Sequence, residues 1–145
     1  MSDQELGMLI LRASTQLTEG IRRGVAQRGF TDVSPTHGFV FVRVSFGGAS
    51  VADVAEHLGV TKQAASQLVE QLVQRGYLTR QVDPADGRSR ILALTKRGWA
   101  CTRAAEQAAA ETVGAWREQL GPEAMTALLA ALQAVVVPGR LRPAW

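Results

Sequence analysis

The segment from Ser50 to Arg97, SVADVAEHLGVTKQAASQLVEQLVQRGYLTRQVDPADGRSRILALTKR, restricts the fold more than any other part of the chain. Ser50 with Asp53 three residues on gives a capping-box-like start to a short helix, and Gly59 ends it. Gly59-Val60-Thr61 then forms a three-residue corner, after which a second helix opens at Thr61 and closes at Gly76. Beyond Gly76, YLTRQ and RILAL are strand-like runs separated by the turn-rich VDPADGRS, which predicts a hairpin with a long basic tip. Two short helices around a tight turn, followed by an arginine-tipped hairpin, is an order of parts that reads duplex DNA.

The two faces of the helix from Thr61 to Arg75 carry different chemistry. At 100 degrees per residue, Ala65, Leu68, Val69 and Leu72 cluster on one side and suit burial against the preceding helix. Gln63, Ser66, Gln67, Glu70 and Gln74 fall on the other, with Lys62 flanking them and Thr61 at the helix start. A purely structural helix carries Glu and Lys pairs at four-residue spacing on its solvent face; this face is rich in amides and almost uncharged. Gln can bond adenine through N6 and N7, Ser is a tolerant partner, and Lys suits guanine or phosphate, so Gln63, Ser66 and Gln67 are expected base readers. Glu70, which phosphate would repel, is expected to orient a neighbour or accept from cytosine. Ser50, Thr61 and Lys62 complete the DNA-contact set on the helices. Asp83-Pro84 and Asp86-Gly87 are turn formers that put Arg88 and Arg90 at or near the hairpin tip, where guanidinium groups can enter a narrow minor groove. Asp86 is expected to brace that tip.

Charge follows the same division. Residues 61–103 hold eight Lys or Arg against three Asp or Glu, a local charge of +5, whereas the residues before and after each come to −1. Positive charge gathered in one segment is the footprint of a surface that displaces counterions from phosphates.

The rest of the chain reads as helix. Leu6, Leu9, Ile10, Ala13, Leu17, Ile21 and Val25 recur every three or four positions, which predicts one long amphipathic helix over about 3–28. Ser34 and Pro35 provide an N-cap and an N1 proline for an apolar helix running to about Val44. Thr95 can cap a fifth helix through Ala-rich sequence to about Gln119, and Gly121-Pro122 starts a sixth that fades near Val137. The PGRLRPAW end is expected to be loose or to dock on a neighbour. The 145 residues, 46% hydrophobic and 20% charged, fit one globular domain. The N-terminus lacks a secretory pattern, no apolar run approaches the ~20 residues that cross a bilayer, and Cys101 is the lone cysteine, so a soluble protein of a reducing cytoplasm is expected. His37, His57 and Cys101 have no metal-ligand spacing, and no nucleophile with its base, carboxylate pair or phosphate-cradling loop is evident. No cofactor, metal or enzymatic activity is therefore expected.

These residues resemble the MarR family of bacterial transcriptional regulators. The resemblance rests on the order of elements, the DP-D-x-R pattern at Asp83, Pro84, Asp86 and Arg88, and the L-x-L-T-x-x-G exit at Leu92, Leu94, Thr95 and Gly98, and its motifs cover about residues 50–98. It implies a mainly α fold with a small β-hairpin wing, a winged helix-turn-helix over about 34–98 flanked by dimerisation helices at about 3–28 and 99–137. It further implies a homodimer whose recognition helices enter successive major grooves of a pseudo-palindromic operator while the wings, led by Arg88, enter adjacent minor grooves. Gly87 departs from the pattern, since many relatives carry a second arginine there. Family members commonly bind a small, often phenolic, ligand that weakens DNA binding. His37, Phe39, Phe41, Arg43, Phe46 and Trp99 lie where such a pocket would form, with His37, Phe41 and Trp99 the ligand candidates, although a helix-start histidine and core aromatics account for the same residues. The expected function is a ligand-released repressor. The alternatives are a redox-responsive regulator acting through Cys101 and a winged-helix module that binds protein.

Overall fold

The computed structural model describes residues 1–139. Its elements, in chain order, are α1 (Asp3–Gln27), α2 (Pro35–Ser45), α3 (Val51–Leu58), α4 (Lys62–Gln74), β1 (Leu78–Asp83), β2 (Asp86–Leu94), α5 (Lys96–Leu120) and α6 (Pro122–Val135). Most of the PGRLRPAW end lies outside the described residues. The chain forms two compact units, one of residues 32–103 and one of residues 1–31 with 104–139. No helix among the described residues is long and apolar enough to cross a membrane.

Local side-chain chemistry fixes the helix starts in residues 32–103. Ser34 caps α2 by accepting from the His37 amide, and the His37 ring returns the bond by accepting from the Ser34 amide at 3.0 Å, with Pro35 in the first turn. Ser50 and Asp53 do the same for α3, at 3.0 Å and 2.9 Å, satisfying two amides that a helix start leaves without intrahelical partners. Gly59 ends α3 in the left-handed region, at φ 69°, where a β-carbon is penalised. Thr61 Oγ1 caps α4 by accepting from the Ala64 amide. Behind these caps, Val40, Phe41 and Val44 of α2, Val54 and Leu58 of α3, and Ala65, Val69 and Leu72 of α4 are buried.

The hairpin departs from expectation. Its strands run further toward the tip than YLTRQ and RILAL suggest, so the reversal narrows to Pro84-Ala85. Pairing is antiparallel from Leu78 opposite Leu94 to Val82 opposite Arg90, then slips to Asp83 opposite Asp86, which leaves Gly87, Arg88 and Ser89 bulged. Aspartate side chains hold this irregular tip: Asp83 accepts from the Ala85 amide at 2.9 Å, and Asp86 accepts from the Arg88 amide at 3.0 Å and the Ser89 hydroxyl at 3.1 Å. Ala49 adds a short third edge by exchanging two backbone hydrogen bonds with Leu92.

In residues 1–31 with 104–139, α1 and α5 cross at close range. A β-carbon on Gly24 would stand 2.4 Å from Ala108 Cβ, and one on Gly20 would stand 2.3 Å from Thr112 Oγ1. Arg28 fastens the same crossing, donating to the Gly24 carbonyl at 3.0 Å and pairing with Glu111. Gly24→Val is therefore expected to lower stability by ~1–3 kcal/mol through overpacking, read as a lowered chemical-denaturation midpoint; an unchanged midpoint would show that the crossing can open without cost.

Candidate nucleic-acid interface

The exposed face of α4 has the composition its spacing predicts. Lys62, Gln63, Ser66, Gln67, Glu70 and Gln74 are exposed, as is the capping Thr61, while Ala65, Val69 and Leu72 on the opposite side have no accessible surface. Burial of that apolar stripe fixes the rotation of the helix, so the amides face solvent by consequence. Thr61 and Ser50 each use an oxygen lone pair on a helix-start amide, and each retains a hydroxyl hydrogen to donate. Ser50 is half-buried at the start of α3.

Arg88 and Arg90 lie on β2, Arg88 inside the bulge and Arg90 opposite Val82, rather than in a loop. Both are exposed, and among the described residues no ion pair includes either of them. The wing arginines thus keep their full donor capacity. Glu70 has a partner the sequence did not suggest: it accepts from Arg80 of β1 at 2.8 Å.

A polar cluster joins the end of α4, the start of the wing and the start of α5. Tyr77 is fully buried, its ring centroid 5.5 Å from that of Phe41, and its hydroxyl donates to Asp32 at 2.6 Å. Arg97 lies over the Tyr77 ring at 4.6 Å and donates to its hydroxyl oxygen at 3.0 Å, and Arg75 donates to the Asp32 carbonyl. The Tyr77 hydrogen bond, with smaller help from Arg97 and Arg75, holds the Asp32 carboxyl below the usual aspartate range against an opposing effect of burial. Burial, reinforced by Asp32, pushes the Tyr77 phenol up to about 12. Gly98 completes the cluster: a β-carbon there would meet the Tyr77 carbonyl oxygen at 2.3 Å, so only glycine lets α5 begin against this backbone. The sequence places Tyr77 at the start of a strand-like run and Arg97 only among the basic residues of 61–103, and gives no sign of their contact with Asp32. The available signal was a tyrosine directly after the helix-ending Gly76, flanked by arginines.

The expected ligand residues have other employment. His37 is buried and caps α2, its Nε2 facing Gln71 Oε1 at 3.4 Å, and burial lowers its pKa. Phe41 is 2% exposed in the core against Tyr77, so of the three candidates only Trp99, 42% exposed, offers substantial surface to a ligand. Cys101 is buried, and burial first, then Asp32, pushes its thiol up to about 11, the reverse of the thiolate-favouring setting a redox sensor needs. Among the described residues no cluster of three or more His, Cys, Asp or Glu is placed to hold a metal ion.

Residues 31–89 match the MarR family. The chain is 31% identical over 106 residues to the HTH-type transcriptional repressor Rv2887 of Mycobacterium tuberculosis, covering 72% of this chain and 73% of that protein. It is 30% identical over 95 residues to the HTH-type transcriptional regulator PetP of Rhodobacter capsulatus, covering 66% of this chain and 57% of PetP, little more than half its length. Among solved structures, Rv1404 of M. tuberculosis superposes with a TM-score of 0.77 at 26% identity over 92% of both chains. A mutant of MepR from S. aureus, bound to an oligodeoxyribonucleotide, gives 0.65 at 21% identity over 92% of this chain and 95% of that one. CouR from Rhodococcus jostii, bound to p-coumaroyl-CoA, gives 0.68 at 21% identity over 94% of both. With the helix-turn-helix, the arginine-bearing hairpin and these relationships in agreement, the chain belongs to the MarR family of transcriptional regulators.

Proposed function

We propose that the chain is a homodimeric repressor that binds a pseudo-palindromic operator and is released from it by a small aromatic ligand. The observation that carries the DNA-binding part is the pairing of an exposed, amide-rich, almost uncharged α4 face with a hairpin whose Arg88 and Arg90 enter no ion pair among the described residues. In this reading α4 lies in the major groove, Gln63, Ser66 and Gln67 reach base edges, and Ser50, Thr61 and Lys62 hold phosphates. Arg88 and Arg90 enter the minor groove. The oligonucleotide bound by the MepR mutant supports DNA as partner, and the ligand bound by CouR supports an effector. Self-association is supported by apolar side chains left at the surface of α1 and α6, among them Leu6, Leu9, Ile10, Leu129 and Leu132, each more than 40% exposed, with no buried residue in α6.

Sequencing the DNA retained by the purified protein, with and without phenolic acids, tests the reading. A recurrent inverted repeat that disappears with one of these compounds is the expected result; retention of random fragments only would refute it. Light scattering is expected to give twice the 15.6 kDa chain mass. On the recovered operator, Gln63→Ala is expected to lower the ratio of specific to nonspecific affinity by ~1–3 kcal/mol. An equal loss on mixed-sequence DNA would make Gln63 a backbone contact.

A further inference from the structure

Arg80 stands apart from the other basic residues of the candidate interface. It lies on β1 two residues after buried Leu78, and alternation along the strand turns its side chain to the same sheet face as Leu78, toward α4. There its Nη2 donates to Glu70 Oε2 at 2.8 Å, with the two side chains 38% and 52% exposed. Glu70 is the only acidic residue on α4 and falls on the same exposed face as Gln63, Ser66, Gln67 and Gln74. An ion pair this exposed adds little to folding, so stability gives the pair no evident purpose. Its location does: it sets one negative and one positive group side by side where a polyanion would lie.

Resting on the DNA-binding reading above, we infer that Glu70 is a specificity-determining residue that acts by occupying Arg80. A free arginine beside the recognition helix would bind phosphate on any duplex, adding equally to operator and to competing DNA, and the quantity that matters for a regulator is the ratio between them. Glu70 satisfies the guanidinium within the protein, so that Arg80 adds nothing to binding at sites that lack the base contacts of α4. The amides of α4 then carry a larger share of the binding than charge does.

The test is a salt titration of binding to a fluorescent duplex of mixed sequence, for wild type, Glu70→Gln, Arg80→Gln and the double variant, with thermal melts confirming that all four fold. Glutamine keeps the helix propensity of glutamate, and both positions are exposed, so the melts are expected to coincide. Glu70→Gln is expected to tighten binding to the mixed duplex and to steepen the slope of log affinity against log salt by about 0.9, the contribution of one added phosphate contact. Between about 50 and 200 mM salt its affinity then falls about 3.5-fold further than that of wild type. In the Arg80→Gln background the same substitution is expected to leave the slope unchanged. An unaltered slope in Glu70→Gln, or the same steepening in the absence of Arg80, overturns the inference; the latter would reduce Glu70 to a general negative charge. A wild-type chain that bound no duplex would instead defeat the DNA-binding reading itself, a result distinct from binding with unaltered slopes.

Discussion

Arg88→Ala is expected to weaken operator binding by ~1–3 kcal/mol, roughly 5- to 150-fold, while leaving the melting temperature and the dimer mass unchanged. The size follows from where the residue sits. Its side chain is exposed and enters no ion pair among the described residues, and its backbone amide is held by Asp86, so removing the guanidinium deletes a contact without disturbing the tip. In a narrow minor groove the negative potential concentrates on such a group, and the bulged register presents Arg88 outside the regular ladder. Fluorescence anisotropy on the operator at physiological salt measures the effect. Unchanged affinity there would remove Arg88 from the contact surface.

Tyr77→Ala is expected to carry the largest cost to folding, ~3–5 kcal/mol in urea denaturation, because it empties a fully buried aromatic site between Phe41 and Arg97. Tyr77→Phe separates the ring from the hydroxyl: packing survives, the hydrogen bond to Asp32 does not, and the expected loss is about 1 kcal/mol. The dependence on pH has a definite sign. The folded state depresses the Asp32 pKa, so the stabilisation is present above the ordinary aspartate range and is lost as the pH falls through the lower folded value. The folded state raises the Tyr77 pKa from 10.0 to about 12, so that contribution is present below 10.0 and is lost as the pH rises toward 12. Wild type and Tyr77→Phe should therefore differ most at neutral pH and converge in strong acid. A constant difference across that range would show that the hydroxyl contributes nothing through Asp32.

Much of the candidate interface was legible because it depends on local chemistry. Ser34, Ser50 and Thr61 cap the helices that follow them, since a cap is a bond between residues two or three apart. The α4 face was equally legible, because burial of Ala65, Val69 and Leu72 forces the amides outward. The hairpin tip was only partly so. VDPADGRS has turn formers throughout, and composition alone gives no reason for the reversal to fall at Pro84-Ala85 and the bulge at Gly87 to Ser89. That register is set by which amides the carboxylates of Asp83 and Asp86 reach.

The amino-acid sequence by itself determined the succession of elements, the helix boundaries, the segregation of charge into residues 61–103 and the amide-rich composition of the exposed α4 face, since each follows from spacing over a few residues or from simple composition. Tertiary structure alone decided which side chains at that surface remain available. Asp32 and Tyr77 are 45 residues apart, and Glu70 and Arg80 ten apart across a helix end and a strand start. No periodicity links either pair: the first contact exists only once the segment before α2 meets the end of α4, the second only once β1 has folded back on α4. The sequence marks Arg80 and Arg88 alike as basic, and the fold separates them by pairing one with Glu70 while the other enters no ion pair among the described residues.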